Sequence, residues 1–252
     1  AVRHAVDWNI DFLSVLPGLE TQSIWERIIQ PVCGAVMVFW FHPSRVNNPA
    51  HSAAYANGAF MLMKRSCYEA IGGHHVVRTE VNEDMHMARL AKQCGQRLVV
   101  VQSDDLYTVR MYSRFSEIWR GWSRIFYGCF GTFRRLRISM LMMLVMSIFP
   151  YFSGMLSAIV LAAAGWNAAG NWWQAVLGVS GACIIMQQTV IVRYYRLSHA
   201  NPWFAPTWIL GAAVCVGMLG NAMLKLKGRA TVTWRGTIYR GQEVAGTSAP
   251  ST

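Results

Sequence analysis

The chain has 252 residues, of which 54% are hydrophobic and only 14% charged, and its formal net charge is +11. Soluble domains average about 25% charged residues, so the composition argues against a wholly water-facing fold. The Lys and Arg residues cluster beside apolar segments, which favours anionic lipid headgroups over nucleic acid as their partner.

In chain order, the opening AVRHAVDWNIDFLSVLP carries no charged-then-apolar signal segment. It reads as the inside of a folded unit, so the chain is expected to begin mid-domain. Residues 31–42, PVCGAVMVFWFH, are apolar for only about a dozen positions, which is short for a span and fits a buried or interfacial segment. Residues 58–64 predict a buried strand, and 65–73 a short helix stopped by Gly72 and Gly73. Residues 83–94 have helical spacing and end at Gly95, with Asn82 at the N-cap position. Residues 97–102 and 106–112 predict strands. Alternating helix and strand implies an α/β domain. The six cysteines, at 33, 67, 94, 129, 183 and 215, form no C-x-x-C pair. That excludes a zinc ribbon, gives no disulfide framework and suits a cytosol-facing protein.

Residues 115–130, FSEIWRGWSRIFYGCF, place Phe115, Ile118, Trp119, Trp122, Ile125, Phe126 and Phe130 near one stripe, with Glu117, Arg120 and Arg124 off it. This predicts an amphipathic helix in the membrane interface. Three apolar runs follow, at 138–164, 172–192 and 205–224, each long enough to span at roughly 20 residues. Pro150 is placed to kink the first, and Trp172 and Trp173 anchor the second. Gly211, Gly217 and Gly220 would allow close packing in the third. Basic clusters lie at Arg134, Arg135 and Arg137, at Arg193 and Arg196, and at Lys225, Lys227 and Arg229. The positive-inside rule puts all of them in the cytoplasm, which three crossings cannot satisfy. Either one segment is re-entrant or the last cluster lies outside.

The stretch EVNEDMHMARLAKQCG begins at Glu80. Glu83 and Asp84 alone are explained by a helix N-terminus, where negative charge is worth about 0.3–1 kcal/mol. Twenty-five residues earlier stands YANGAFMLMKRSCYEAIGGHH. The order is an Asn-Gly turn, a strand, a basic pair, a short helix, Gly-Gly, a loop, and Glu-Asp opening a helix. This order resembles the acceptor half of family 2 membrane glycosyltransferases, with the lipid-directed members nearest. The resemblance covers residues 55–102 and extends loosely to about 125.

The resemblance implies a catalytic base at Asp84, with Glu83 orienting the site or capping the helix. It implies acceptor or diphosphate contacts at Asn57, Gly58, His74, Arg78, Trp119, Arg120, Trp122 and Arg124. SEIWRGWSR supplies the residue types of the family's Gln/Arg-x-x-Arg-Trp element at a different spacing, which favours a single transfer to a lipid over processive synthesis. The tail TWRGTIYRG resembles the basic, aromatic ending of lipid-directed members. The family's Asp-x-Asp, which holds a divalent metal (Mg or Mn) on the donor diphosphate, is missing; Asp104-Asp105 is adjacent and misplaced in order. A metal is therefore expected only in the full-length enzyme, and the fragment alone is expected to be inactive.

The expected architecture is α/β, the C-terminal half of a GT-A type transferase domain over 1–114. An interfacial helix and basic linker occupy 115–137, an all-α transmembrane region 138–224, and a basic, partly disordered tail 225–252. The expected activity is inverting transfer of a sugar from a nucleotide-sugar to a lipid or lipid-linked hydroxyl, in a multi-pass protein whose catalytic part faces the cytoplasm. The alternative is a transporter or scaffold with a small regulatory domain; nearly charge-free spans argue against a transport path.

Overall fold

The computed structural model describes residues 1–103, 106–168, 170–234, 237–240 and 243–247. Asp104 and Asp105, and Arg235 and Gly236 of the tail motif, lie outside the described residues.

The fold opens with a short helix α1 (Val2–Asp7) and strand β1 (Phe12–Leu16). A two-residue strand β2 (Gly18–Leu19) follows, then a long helix α2 (Ile24–Trp40) and the single turn α3 (Pro43–Val46). Next come β3 (Met61–Met63), α4 (Arg65–Ala70), α5 (Gly73–Val76) and α6 (Glu83–Gln93). Strands β4 (Leu98–Gln102) and β5 (Thr108–Val109) lead into α7 (Phe115–Phe130). The remainder is α8 (Phe133–Met142), α9 (Phe149–Ala164), α10 (Asn171–Leu197), α11 (Trp208–Leu226) and the strands β6 (Thr231–Trp234), β7 (Thr237–Arg240) and β8 (Glu243–Thr247).

Helices dominate, and the α/β expectation is met only in part. One small mixed sheet has the order β3-β1-β4, with β3 antiparallel and β4 parallel to β1; β2 and β5 form a separate parallel pair. The period-2 pattern of β1 covers both faces of the sheet. Phe12 joins the main core with Met85 and Val100, while Leu13 and Val15 join a second cluster with Phe60, Val99 and Tyr107. Where the tail is read as partly disordered, its described residues pair as the antiparallel ribbon β6-β7-β8.

The apolar run at 31–42 belongs to a longer helix than its composition suggests. Ser23 and Glu26 form a reciprocal capping box that starts α2 seven residues earlier. Glu26 and Arg27 interrupt the hydrophobicity without interrupting the helix. Four helical stretches are long and apolar enough to cross a membrane: 24–46, 133–164, 171–197 and 202–226. This length and composition mark a membrane protein.

Pro150 acts where expected. A π-helical stretch, Met143–Ile148, joins α8 to α9 just ahead of it. Pro150 has no N–H to give the Met146 carbonyl, and Gln187 Nε2 of α10 donates there instead at 2.8 Å. Small residues hold α9 to α10: Ser153 and Ser180 hydroxyls lie 2.9 Å apart, and Ser157 Oγ donates to the Trp173 carbonyl at 2.9 Å. In α11, Gly211 lies directly against the Ile28 carbonyl of α2, and Gly217 against the Trp119 ring of α7. Gly220 has open space beside it and serves no such contact.

Candidate active site

The site is built on the turn before β3 and the first turn of α6. Ser14 is fully buried in β1. Its Oγ accepts the Asn57 N–H at 2.8 Å and donates to the Phe60 carbonyl at 3.1 Å. That pins the Asn57-Gly58 turn to the sheet. Gly58 N–H then donates to Asp84 Oδ2 at 2.9 Å, and Met85 N–H to Asp84 Oδ1 at 2.7 Å. A Cβ on Gly58 would sit 3.3 Å from Asp84 Oδ2, so the turn and the carboxylate are in close contact. The Asn-Gly turn and the Glu-Asp helix, separated in sequence, thus meet in space.

Burial raises the pKa of Asp84 above the usual aspartate range; the Met85 and Gly58 N–H groups oppose this, the Glu83 charge adds to it, and Arg124 opposes it. Arg124, from α7, is thus an electrostatic neighbour of Asp84. It also hydrogen-bonds Tyr112, whose hydroxyl lies against α7 at Gly121 so closely that no Cβ fits there. Tyr55 is a further, partly buried neighbour. Its phenol is pushed well up, first by burial, then by the charges of Cys129 and Asp84.

Asn82 holds the N-cap position of α6, but its side chain makes no cap. It turns to α7, donating to Cys129 Sγ at 2.9 Å and to the Ile125 carbonyl at 3.4 Å, beside Gly128. Asp84 and Glu83 stand in the first turn, as their sequence position requires.

The other expected contact residues are more dispersed. His74 is exposed on α5, where its Nδ1 lies 2.9 Å from the Tyr68 hydroxyl. It follows Gly72 and Gly73, both left-handed at φ 79° and 61°, a conformation that favours glycine. Arg78 is exposed. Arg120 is exposed and donates to the Ser116 carbonyl of its own helix. Trp122 is buried against Phe126, with ring centres 5.5 Å apart, and its Nε1 has no hydrogen-bond partner among the described residues. It therefore faces the packed interior rather than a cleft. Trp119 lines a cavity of about 590 Å³ between α7, α8 and α11, with Phe133 and Leu224. The apolar stripe of α7 packs mainly on α2 and α11.

Ser14, Tyr55 and Tyr112 were not among the expected site residues. Ser14 left one signal, a lone hydroxyl at a buried position of an apolar strand. The tyrosines left none, because only the tertiary fold brings them to Asp84 and Arg124. No three His, Cys, Asp or Glu side chains converge among the described residues. These residues do not fit a divalent metal site.

A family model described as glycosyl transferase family 21 matches residues 42–244. No curated protein and no solved structure matches the chain. The matched span contains the Asn-Gly turn, Asp84, Arg124 and three of the four long apolar stretches in full.

Proposed function

The chain belongs to glycosyl transferase family 21, and from that premise we propose that it serves inverting transfer of a sugar from a nucleotide-sugar to the hydroxyl of a membrane lipid. Sugar transfer follows from the family at the general level; the resemblance noted in the sequence was to family 2. One observation carries the finer reading: the Asp84 carboxylate is fixed by the Gly58 N–H at the head of α6, with the charge of Arg124 nearby.

In this reaction the acceptor hydroxyl attacks the anomeric carbon opposite the leaving nucleoside diphosphate. The new C–O bond forms as the bond to the diphosphate oxygen breaks, and Asp84 takes the hydroxyl proton. Base catalysis of this kind is worth about 10²–10⁴-fold. Two backbone N–H groups hold both carboxylate oxygens, which fixes the base at small entropic cost. Arg124 lies where it can offset negative charge gathering on the diphosphate. The Trp119 cavity has the apolar lining a lipid chain needs. The GT-A assignment rests on the small β3-β1-β4 sheet and the order of elements around it. A divalent metal on the diphosphate belongs to the same reading, with ligands other than these residues.

The same reading places the protein in the membrane. Large exposed apolar side chains concentrate on α9 and α10, among them Phe149, Phe152, Ile159, Val179, Ile185 and Val190. Helices α2 and α11 are instead packed on α7 and on each other. Lys227 Nζ lies 5.3 Å from the Phe133 ring centre, which brings the third basic cluster beside the first. A single crossing hairpin, α9–α10, leaves all three basic clusters on the cytoplasmic side and removes the conflict with the positive-inside rule.

The test uses membranes of cells expressing the protein. They are incubated with a panel of labelled nucleotide-sugars, and the lipid extract is resolved. Label is expected in a glycolipid whose anomeric configuration is opposite to that of the donor. Label confined to protein or water-soluble sugar, or a retained configuration, would overturn the proposal.

A further inference from the structure

Helix α6 has two working faces. Asp84 points to one. Asn82, His86, Arg89 and Gln93 recur at helical spacing roughly half a turn away, at 3.6 residues per turn. That second face walls a cavity of about 1200 Å³ between α6, the loop after α3, the end of α7 and the first turns of α8. Asp84 does not line it.

The cavity wall carries five cations, Arg45, Arg89, Lys92, Arg134 and Arg135, and one carboxylate, Glu80. Glu80 Oε2 lies 3.1 Å from His86 Nε2, and the five cations outnumber this one carboxylate. Among the described residues, no carboxylate lies within ion-pair distance of any of the five cations. Their partners are neutral. Arg89 Nη2 donates to the Cys129 carbonyl at 2.9 Å, and Lys92 Nζ to the carbonyls of Asn48 and His51 at 2.9 and 2.8 Å. The Arg135 guanidinium lies 5.5 Å from the Trp40 ring centre and 6.0 Å from that of Phe41. These contacts aim the side chains without cancelling their charge. Burial lowers the pKa of Lys92, and burial followed by the Arg89 charge lowers that of His86 against the pull of Glu80. Like charge has been gathered here at a cost that an anion would relieve.

The surroundings say which anion. Arg134 and Arg135 open α8, at the start of one long apolar stretch, and Trp40 and Phe41 stand near the end of another. Ile138 and Leu226 bring apolar surface to the same wall. Guanidinium groups match phosphate oxygens in pairs, and basic pockets at the ends of membrane helices are suited to lipid phosphates. We propose that this cavity binds the phosphate group of an anionic phospholipid, at a site separate from Asp84. Free phosphate shares the chemistry, so the test must separate the two sources.

The full chain is purified in neutral detergent and titrated with dioleoyl phosphatidylglycerol, dioleoyl phosphatidylcholine or inorganic phosphate, with bound species resolved by native mass spectrometry. One phosphatidylglycerol per chain should be retained over phosphatidylcholine. R89Q/R135Q should weaken it by about 25-fold, from about fivefold per cation near an anionic headgroup. R134Q alters an exposed side chain and should cost about fivefold, which keeps the test decisive if the double variant fails to fold. Wild-type retention in R134Q, and in the double variant if it folds, would overturn the proposal. So would displacement of the lipid by equimolar inorganic phosphate, which would assign the cavity to a soluble anion.

Discussion

Replacing Asp84 by Asn removes the proton acceptor and leaves the shape. If Asp84 is the base, turnover should fall by about 10²-fold or more, which is about 2.7 kcal/mol of barrier or more. The structure adds a folding term that an exposed helix cap would not have. Both carboxylate oxygens accept backbone N–H groups, from Gly58 at 2.9 Å and Met85 at 2.7 Å. An amide can accept only one of these, and its NH₂ would oppose the other. An unmet donor costs about 1–3 kcal/mol. Against this, the substitution removes a carboxylate whose ionised form burial already disfavours. The two effects oppose, so the net loss of stability should be no more than about 2 kcal/mol. The assay compares sugar transfer at saturating donor with the thermal midpoint in the same membranes. Near-normal turnover in D84N would refute the assignment and return Asp84 to a capping role, with Glu83 next in line. A lost turnover matched by unfolding would refute the separation of chemistry from structure.

The acid limb of turnover should lie above the ordinary aspartate value, because the pKa of Asp84 is raised, and D84N should lack it; an acid limb at or below about 3.9 in the pH–rate profile would contradict the burial of this carboxylate. The sign for stability is opposite: a raised acid contributes most below its unfolded pKa and loses that contribution as pH rises through the folded value. Gly58→Ala should lower kcat more than thermal stability, because its Cβ would press on Asp84 Oδ2 at 3.3 Å; an unchanged kcat would show that the turn does not position the base. Glu26→Ala should destabilise by about 1–2 kcal/mol, since Glu26 is fully buried and closes the α2 capping box, while its partner Arg110, 3.1 Å away, is exposed enough to be resolvated; a midpoint within a degree of wild type in detergent would contradict this. Gly211→Leu should separate α11 from α2, because even a Cβ would collide with the Ile28 carbonyl; unchanged folding by near-UV circular dichroism would refute that close approach.

The sequence by itself determined the local elements. Hydrophobic spacing and a following glycine delimit α6 almost to the residue, and Gly72-Gly73 ends α4 because two left-handed residues favour glycine. Length and lack of charge mark 138–164, 172–192 and 205–224 as stretches able to enter a bilayer, and the helices that hold them extend further, to 133–164, 171–197 and 202–226. The order of motifs, through its resemblance to a glycosyltransferase family, singles out Asp84 and the Asn-Gly turn. Tertiary structure decided what those elements face. Composition split α2, because Glu26 and Arg27 look like a boundary until Ser23 caps the helix and Arg110 pairs with the buried carboxylate. Asn82 holds a capping position, yet its side chain donates to Cys129 Sγ of α7, which approaches closely because Gly128 carries no Cβ. The two faces of α6 are hidden in sequence for the same reason. Residues 84 and 89 are neighbours along the chain, but the helix turns them apart, and only the packing of α7 and α8 sets Arg124 beside one and Arg135 across a cavity from the other.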